Sequence, residues 1–116
     1  MKKIYDSWDT SYKSTFGAIK TDEFCDFTIK LPLSHESEDA PVMVIYRVGF
    51  KKRFIKMNKT AEDNDSISYT ASFNTSYSGV YYYYFFTTVA GETYYIKKQN
   101  THIGGFDEGE LFQLTV

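Results

Sequence analysis

Residues 80–89 read VYYYYFFTTV, with six aromatic side chains in a row from Tyr81 to Phe86. Extended backbone sends successive side chains to opposite faces. Three of these rings therefore meet a core, and the other three lie in line at about 6–7 Å per step on the opposite face. A segment so apolar on both faces is no solvated edge, and it reads as the central strand of a sheet. Ser78-Gly79 precedes it, and Ala90-Gly91 closes a two-residue hairpin into residues 92–98.

Working outward, period two continues on both sides. Cys25, Phe27, Ile29 and Leu31 alternate with Asp26, Thr28 and Lys30. Val42, Val44, Tyr46 and Val48 form a second alternating face, and Phe54 and Met57 flank a short third segment. Ile67, Tyr69, Ala71 and Phe73 alternate with serine, threonine and asparagine, the pattern of a strand with one buried and one wet face. No stretch of eleven residues carries an apolar stripe at i, i+3, i+4 and i+7. Residues 34–41 and 59–65 read as polar loops, and Gly104-Gly105 and Gly109 punctuate a loop before a last strand over 111–116. The expected fold is all-β: an immunoglobulin-like antiparallel β-sandwich of about six to eight strands, lacking the Cys–Trp–Cys pattern of antibody domains. Residues 21–116 form the sandwich, and residues 1–20, which lack alternation, form an irregular segment packed on it. At 116 residues this is one domain, able to build a core without disulfides or metal.

Composition excludes several functions. The net charge is −2 and the only basic cluster is KKRF at 51–54, a poor footprint for nucleic acid. The first residues hold no secretory signal, and no window reaches the length of a membrane span. With one cysteine, Cys25, no intrachain disulfide can form, and a reducing, cytoplasmic setting is expected. Cys25 lies on the apolar side of its strand and reads as a buried structural thiol. His35 sits in the acidic loop HESED and His102 in NTHIGG, neither beside a second ligand at zinc spacing. Carboxylates from Asp6 and Asp9 through Glu36, Glu38 and Asp39 to Glu110 cluster as solvated turns do. Asp63 and Asp65 lack the twelve-residue calcium loop, and GGFDEG follows no phosphate-cradling strand–helix pattern. No catalytic residue, metal or cofactor is expected.

Aromatics are the positive signal, at 19% of the chain. Beyond the core, the outward rings of 81–86, widened by Tyr94 and Tyr95, form a patch with two uses. It packs against protein, the usual fate of large exposed aromatic surfaces, or it stacks on the flat faces of sugar rings.

The order of landmarks resembles the N-terminal accessory domain of α-amylase superfamily glycoside hydrolases, of the neopullulanase and maltogenic amylase type. YKSTFGAIKTDE at 12–23 is similar to that family's opening and FTIKLP at 27–32 to its first strand. SGVYYYYFF at 78–86 is similar to its glycine-led aromatic strand, and GGFDEGELFQLTV at 104–116 to its terminal loop and strand. Tyr82 stands where the family usually has Trp, and Tyr95-Ile96-Lys97 where many relatives have Tyr-Gly-Asn. The resemblance implies a non-catalytic module ahead of a barrel that cleaves α-glucans. Such a barrel needs about 200 or more residues, so the chain reads as an excised domain or fragment. Two roles follow: binding starch or maltodextrin, with Trp8, Tyr12, Tyr82 and Tyr95 as the candidate contacts, or packing on the barrel or in a homodimer without binding sugar.

Overall fold

The computed structural model describes residues 3–36 and 39–116. Its ten strands are β1 (Tyr5–Asp6), β2 (Cys25–Pro32), β3 (Val42–Arg47), β4 (Arg53–Lys56) and β5 (Asn58–Glu62), then β6 (Ser66–Phe73), β7 (Val80–Val89), β8 (Glu92–Lys98), β9 (Ile103–Phe106) and β10 (Phe112–Thr115). One three-residue 3-10 turn, Leu33–His35, follows β2. Every pairing between strands is antiparallel. The smaller sheet runs β2-β6-β5, and the larger runs β1-β9-β8-β7-β3-β4 with β10 also on β7. This is the expected all-β sandwich, with ten strands in place of the six to eight expected.

Alternation builds the core from both sheets. Cys25, Phe27, Ile29 and Leu31 of β2 and Ile67, Tyr69, Ala71 and Phe73 of β6 face inward. Met43 and Ile45 of β3 and Tyr81, Tyr83 and Phe85 of β7 meet them from the other sheet. β7 is the central strand its sequence indicates. On one side it pairs with β3. Its other side is shared, with β10 opposite residues 80–83 and β8 opposite 85–89. The hairpin to β8 turns at Ala90 and Gly91, both with positive φ (52° and 78°), as the two-residue turn matching strand twist requires.

Two expectations need correction. Residues 59–65 are not all loop: β5 pairs with β6 across a bulge between Lys59 and Ala61. All its side chains are exposed, so an edge strand without an apolar face gave no alternation to read. Gly104-Gly105 lies inside β9. A Cβ at Gly104 would sit 3.0 Å from Tyr5 Cβ and 3.1 Å from Phe112 Cζ, so this glycine marks a close approach rather than a turn. The alternating face of β3 proves to be the outer one: Met43 and Ile45 face the core, Val42, Val44 and Tyr46 lie on the opposite face, and Val48 is exposed in the following turn.

The N-terminal segment bridges the two sheets. Tyr5 and Asp6 pair with β9, while Ile4 O and Tyr12 O accept from Lys30 and Thr28 N–H on the free edge of β2. Ile19 N–H donates to Thr115 O of β10. Tyr5 is fully buried, with its ring edge-on to Tyr83 and Phe112 and its hydroxyl 2.8 Å from that of Tyr83. Burial pushes both phenols above the ordinary tyrosine value. Lys13 is buried too, its ammonium donating to Thr15 O and Gly17 O at 2.6 Å each, and burial lowers its pKa. Glu38 of the acidic loop lies outside the described residues.

Candidate functional site: the outer aromatic face

The face of the larger sheet turned away from the core is built by the other parity of β7. Tyr82, Tyr84 and Phe86 stand in line along it, each half-buried. Beside them on β3, Tyr46 lies opposite Tyr82, Val44 opposite Tyr84 and Val42 opposite Phe86. Phe54 of β4 is opposite Val44, and Tyr95 of β8 opposite Phe86. Val44 shows what this crowding does. It points away from the central core yet is wholly buried, within a second, shallow apolar layer on the outside of the sheet. Around it, Phe54 remains 64% exposed and Tyr95 43% exposed.

Two cations sit among the rings. Lys52 Nζ lies 5.7 Å from the Tyr84 ring and 5.8 Å from that of Tyr46. Lys97 Nζ lies 5.4 Å from Tyr95 and 6.0 Å from Tyr84. These cation–π contacts keep charge at the surface while the lysine stems lie over apolar rings. Neighbouring rings are tilted against one another, by 49° for Tyr46–Tyr82, 53° for Tyr84–Tyr95 and 54° for Phe86–Tyr95. The face is therefore corrugated, with ridges and grooves, and is not a flat platform.

Of the residues singled out in the sequence, Tyr82 and Tyr95 share this face, with Tyr84 between them. Tyr94 does not widen it. Being adjacent to Tyr95 it points the other way, where its ring meets His35 and Phe106. Tyr12 is a correction as well: at 6% exposure, edge-on to Tyr5 and with Lys30 Nζ 4.7 Å from its ring centroid, it has no free face for a ligand. Trp8 is exposed but belongs to a separate cluster, stacked on the His102 ring at 4.0 Å and 8°. His102 Nδ1 is 2.7 Å from Asp6 Oδ1, and Asp6 also accepts from Lys3 Nζ (2.7 Å) and Trp8 N–H (2.9 Å). Burial alone would raise the Asp6 pKa, but these three donors outweigh it and hold the carboxyl at about 2.

Sequence reasoning missed Tyr46, Phe54, Lys52 and Lys97 as members of the face. The signal for Tyr46 is present, since it alternates in phase with Val42 and Val44, but alternation alone does not say which side of the sheet that face lies on. Among the described residues no three His, Cys, Asp or Glu side chains gather where they could hold a metal, and no helix is long and apolar enough to cross a membrane.

No protein-family model matches the sequence, and no curated protein matches it. Among solved structures, a cyclomaltodextrinase superposes with a TM-score of 0.66 over 97% of this chain, at 12% sequence identity. The match spans 19% of that chain. At this identity the likeness shows the fold: the β-sandwich described above is of a kind that an α-amylase-family enzyme carries as a small part of its length.

Proposed function

We propose that this chain is the non-catalytic accessory sandwich of an α-glucan-degrading glycoside hydrolase of the α-amylase superfamily, and that its outer aromatic face docks on the catalytic barrel of the parent enzyme. The fold match and the order of sequence landmarks support the first half. The observation that carries the second is the face itself, a corrugated apolar layer with Phe54 and Tyr95 left open and Val44 already buried beneath its neighbours. Ridged surfaces of aromatic and aliphatic side chains suit interlocking with another protein, whose core-like packing replaces water across the patch.

A second reading, starch or maltodextrin binding at Tyr82 and Tyr95, draws on the phenol hydroxyls and the lysines interleaved with the rings. Sugar stacking favours rings presented flat and alike, and tilts near 50° work against it. The two readings part on one titration. Adding maltoheptaose to the chain while following backbone amide shifts should leave the outer-face residues unmoved at millimolar ligand if the face docks on protein. Saturable shifts at Tyr82, Tyr84 and Tyr95 would move the face to sugar binding. The accessory role itself is tested by the reading frame downstream of Val116, which should continue into a barrel with its acidic catalytic residues.

A further inference from the structure

A concavity of about 580 Å³ opens at the far end of β3, beside the turn into β4. Its chemistry differs from that of the aromatic face. Arg47, Lys51 and Arg53 bring three cations to it, and no carboxylate lines it, although the chain as a whole is net negative. Phe50 and Tyr77, at 61% and 63% exposure, form aromatic walls. Asn74 and Ser76 add polar groups to the rim. The carboxylate engaged by this rim, Asp22, accepts from Ser76 Oγ at 2.7 Å.

Arg47 is held from several sides. Its guanidinium carbon lies 3.8 Å from the Phe50 ring centroid and 4.8 Å from that of Tyr77. Its stem crosses Gly79, where an added Cβ would come within 3.3 Å of Arg47 Cδ. Gly79 has φ +142°, so this position favours glycine on backbone grounds as well. Stacking engages the faces of a guanidinium and leaves its in-plane N–H donors available. Among the described residues Arg47 donates no side-chain hydrogen bond and joins no ion pair. A preorganised, unspent fork of donors is what bidentate capture of an oxyanion requires.

We propose that this cavity binds a small organic anion, a sugar ring bearing a phosphate or carboxylate, with Arg47 as the residue that recognises the oxyanion. Lys51 and Arg53 supply further positive charge, the exposed parts of the Phe50 and Tyr77 rings that Arg47 leaves uncovered contact the apolar side of the ligand ring, and Asn74 and Ser76 meet its hydroxyls. The cavity volume falls within the range of small-molecule sites, about 300–1,000 Å³, and accommodates one such ligand with solvent. The proposal is independent of the outer-face reading, because neither its residues nor its ligand class is used there, apart from Tyr46 at the shared boundary.

The test is an amide and guanidinium NMR titration of the chain with glucose 6-phosphate, glucuronate, inorganic phosphate and, as the neutral control, glucose. Saturable shifts at Arg47 and across 49–53 and 74–79 are expected with the two anionic sugars and none with glucose. Adding salt should weaken them. Arg47→Met retains much of the stem packing and removes the donors. It should lower affinity by about tenfold or more with resonances elsewhere unmoved. If glucose 6-phosphate binds and glucuronate does not, the oxyanion is a phosphate; the reverse selects a carboxylate. No saturable response to either anion, equal response to glucose, or wild-type affinity in Arg47→Met overturns the proposal. Inorganic phosphate binding as tightly as glucose 6-phosphate overturns its sugar-ring half.

Discussion

Phe85 and Phe86 are the same residue, one step apart on the same strand, and they lead different lives. Phe85 is fully buried between the sheets, 5.0 Å from the Tyr5 ring, while Phe86 lies half-buried on the outside, 6.2 Å from Tyr95. The contrast extends along β7, with Tyr81 and Tyr83 on the first face and Tyr82 and Tyr84 on the second. Residue type therefore does not decide what an aromatic contributes here. What decides is whether a second sheet covers it, and only the inner rings are covered by this chain.

The largest expected effect breaks that comparison at its centre. Phe85→Ala should destabilise the chain by about 3–5 kcal/mol, the loss for deleting a fully buried phenyl and leaving a cavity, whereas Phe86→Ala should cost about 1 kcal/mol or less. Urea denaturation of the two variants checks both. Equal losses would show that the outer layer contributes to stability as the core does.

A smaller effect separates polar from apolar burial within the inner face. The Tyr5 and Tyr83 hydroxyls satisfy each other at 2.8 Å in the middle of the core. Tyr83→Phe strands the Tyr5 hydroxyl and should cost about 1–2 kcal/mol. The double variant Tyr5→Phe, Tyr83→Phe removes both polar groups and should recover much of that loss, so the coupling measured in the cycle is large and of opposite sign to the single changes.

How much of this could be read in the sequence depends on whether the two faces of a strand differ. β2 and β6 alternate apolar with Asp26, Thr28, Ser68 and Thr70, and their core faces were legible without ambiguity. β7 was legible as central for the opposite reason, being apolar on both faces. β3 was legible as a strand but not in its orientation, because Met43-Val44-Ile45 is apolar throughout and period two could not choose between the Met43 and Val44 faces; pairing with β7 makes that choice. Gly104 misled because glycine signals both turns and close approaches, and only the packing of Tyr5 tells them apart. The Trp8–His102–Asp6 cluster joins residues more than ninety positions apart through β1–β9 pairing, and such a contact leaves no local pattern.

That cluster supplies the third prediction, at the margin where the inner face gives way to solvent. Asp6 has its folded pKa lowered from 3.8 to about 2, so its carboxylate adds stability that is complete above the unfolded value. The contribution is lost as pH falls through about 2. A shift of this size corresponds to at most about 2 kcal/mol, and about 1 is expected because Lys3, one of its partners, stands largely in solvent. Asp6→Asn should be less stable than the parent at pH 7, and the two should converge near pH 2 in thermal melts. A gap that stays constant from pH 7 to pH 2 would mean that the carboxylate charge is not what the three donors hold.

The smallest expected effect is the most informative about function. Phe54 lies opposite Val44 on the outer face and is 64% exposed, so Phe54→Ser on the chain alone should change stability by about 0.5 kcal/mol or less. In a longer protein where this face meets a barrel, the same serine would sit inside an interface. There it should cost about 1–3 kcal/mol, lost from the docking of the sandwich and not from its folding. Measuring one substitution in both settings separates the rings that hold this domain together from those that hold it to something else. If Phe54→Ser is as mild in the longer protein as in the chain alone, the outer face does not dock through Phe54, and its rings must be tested one by one against sugar.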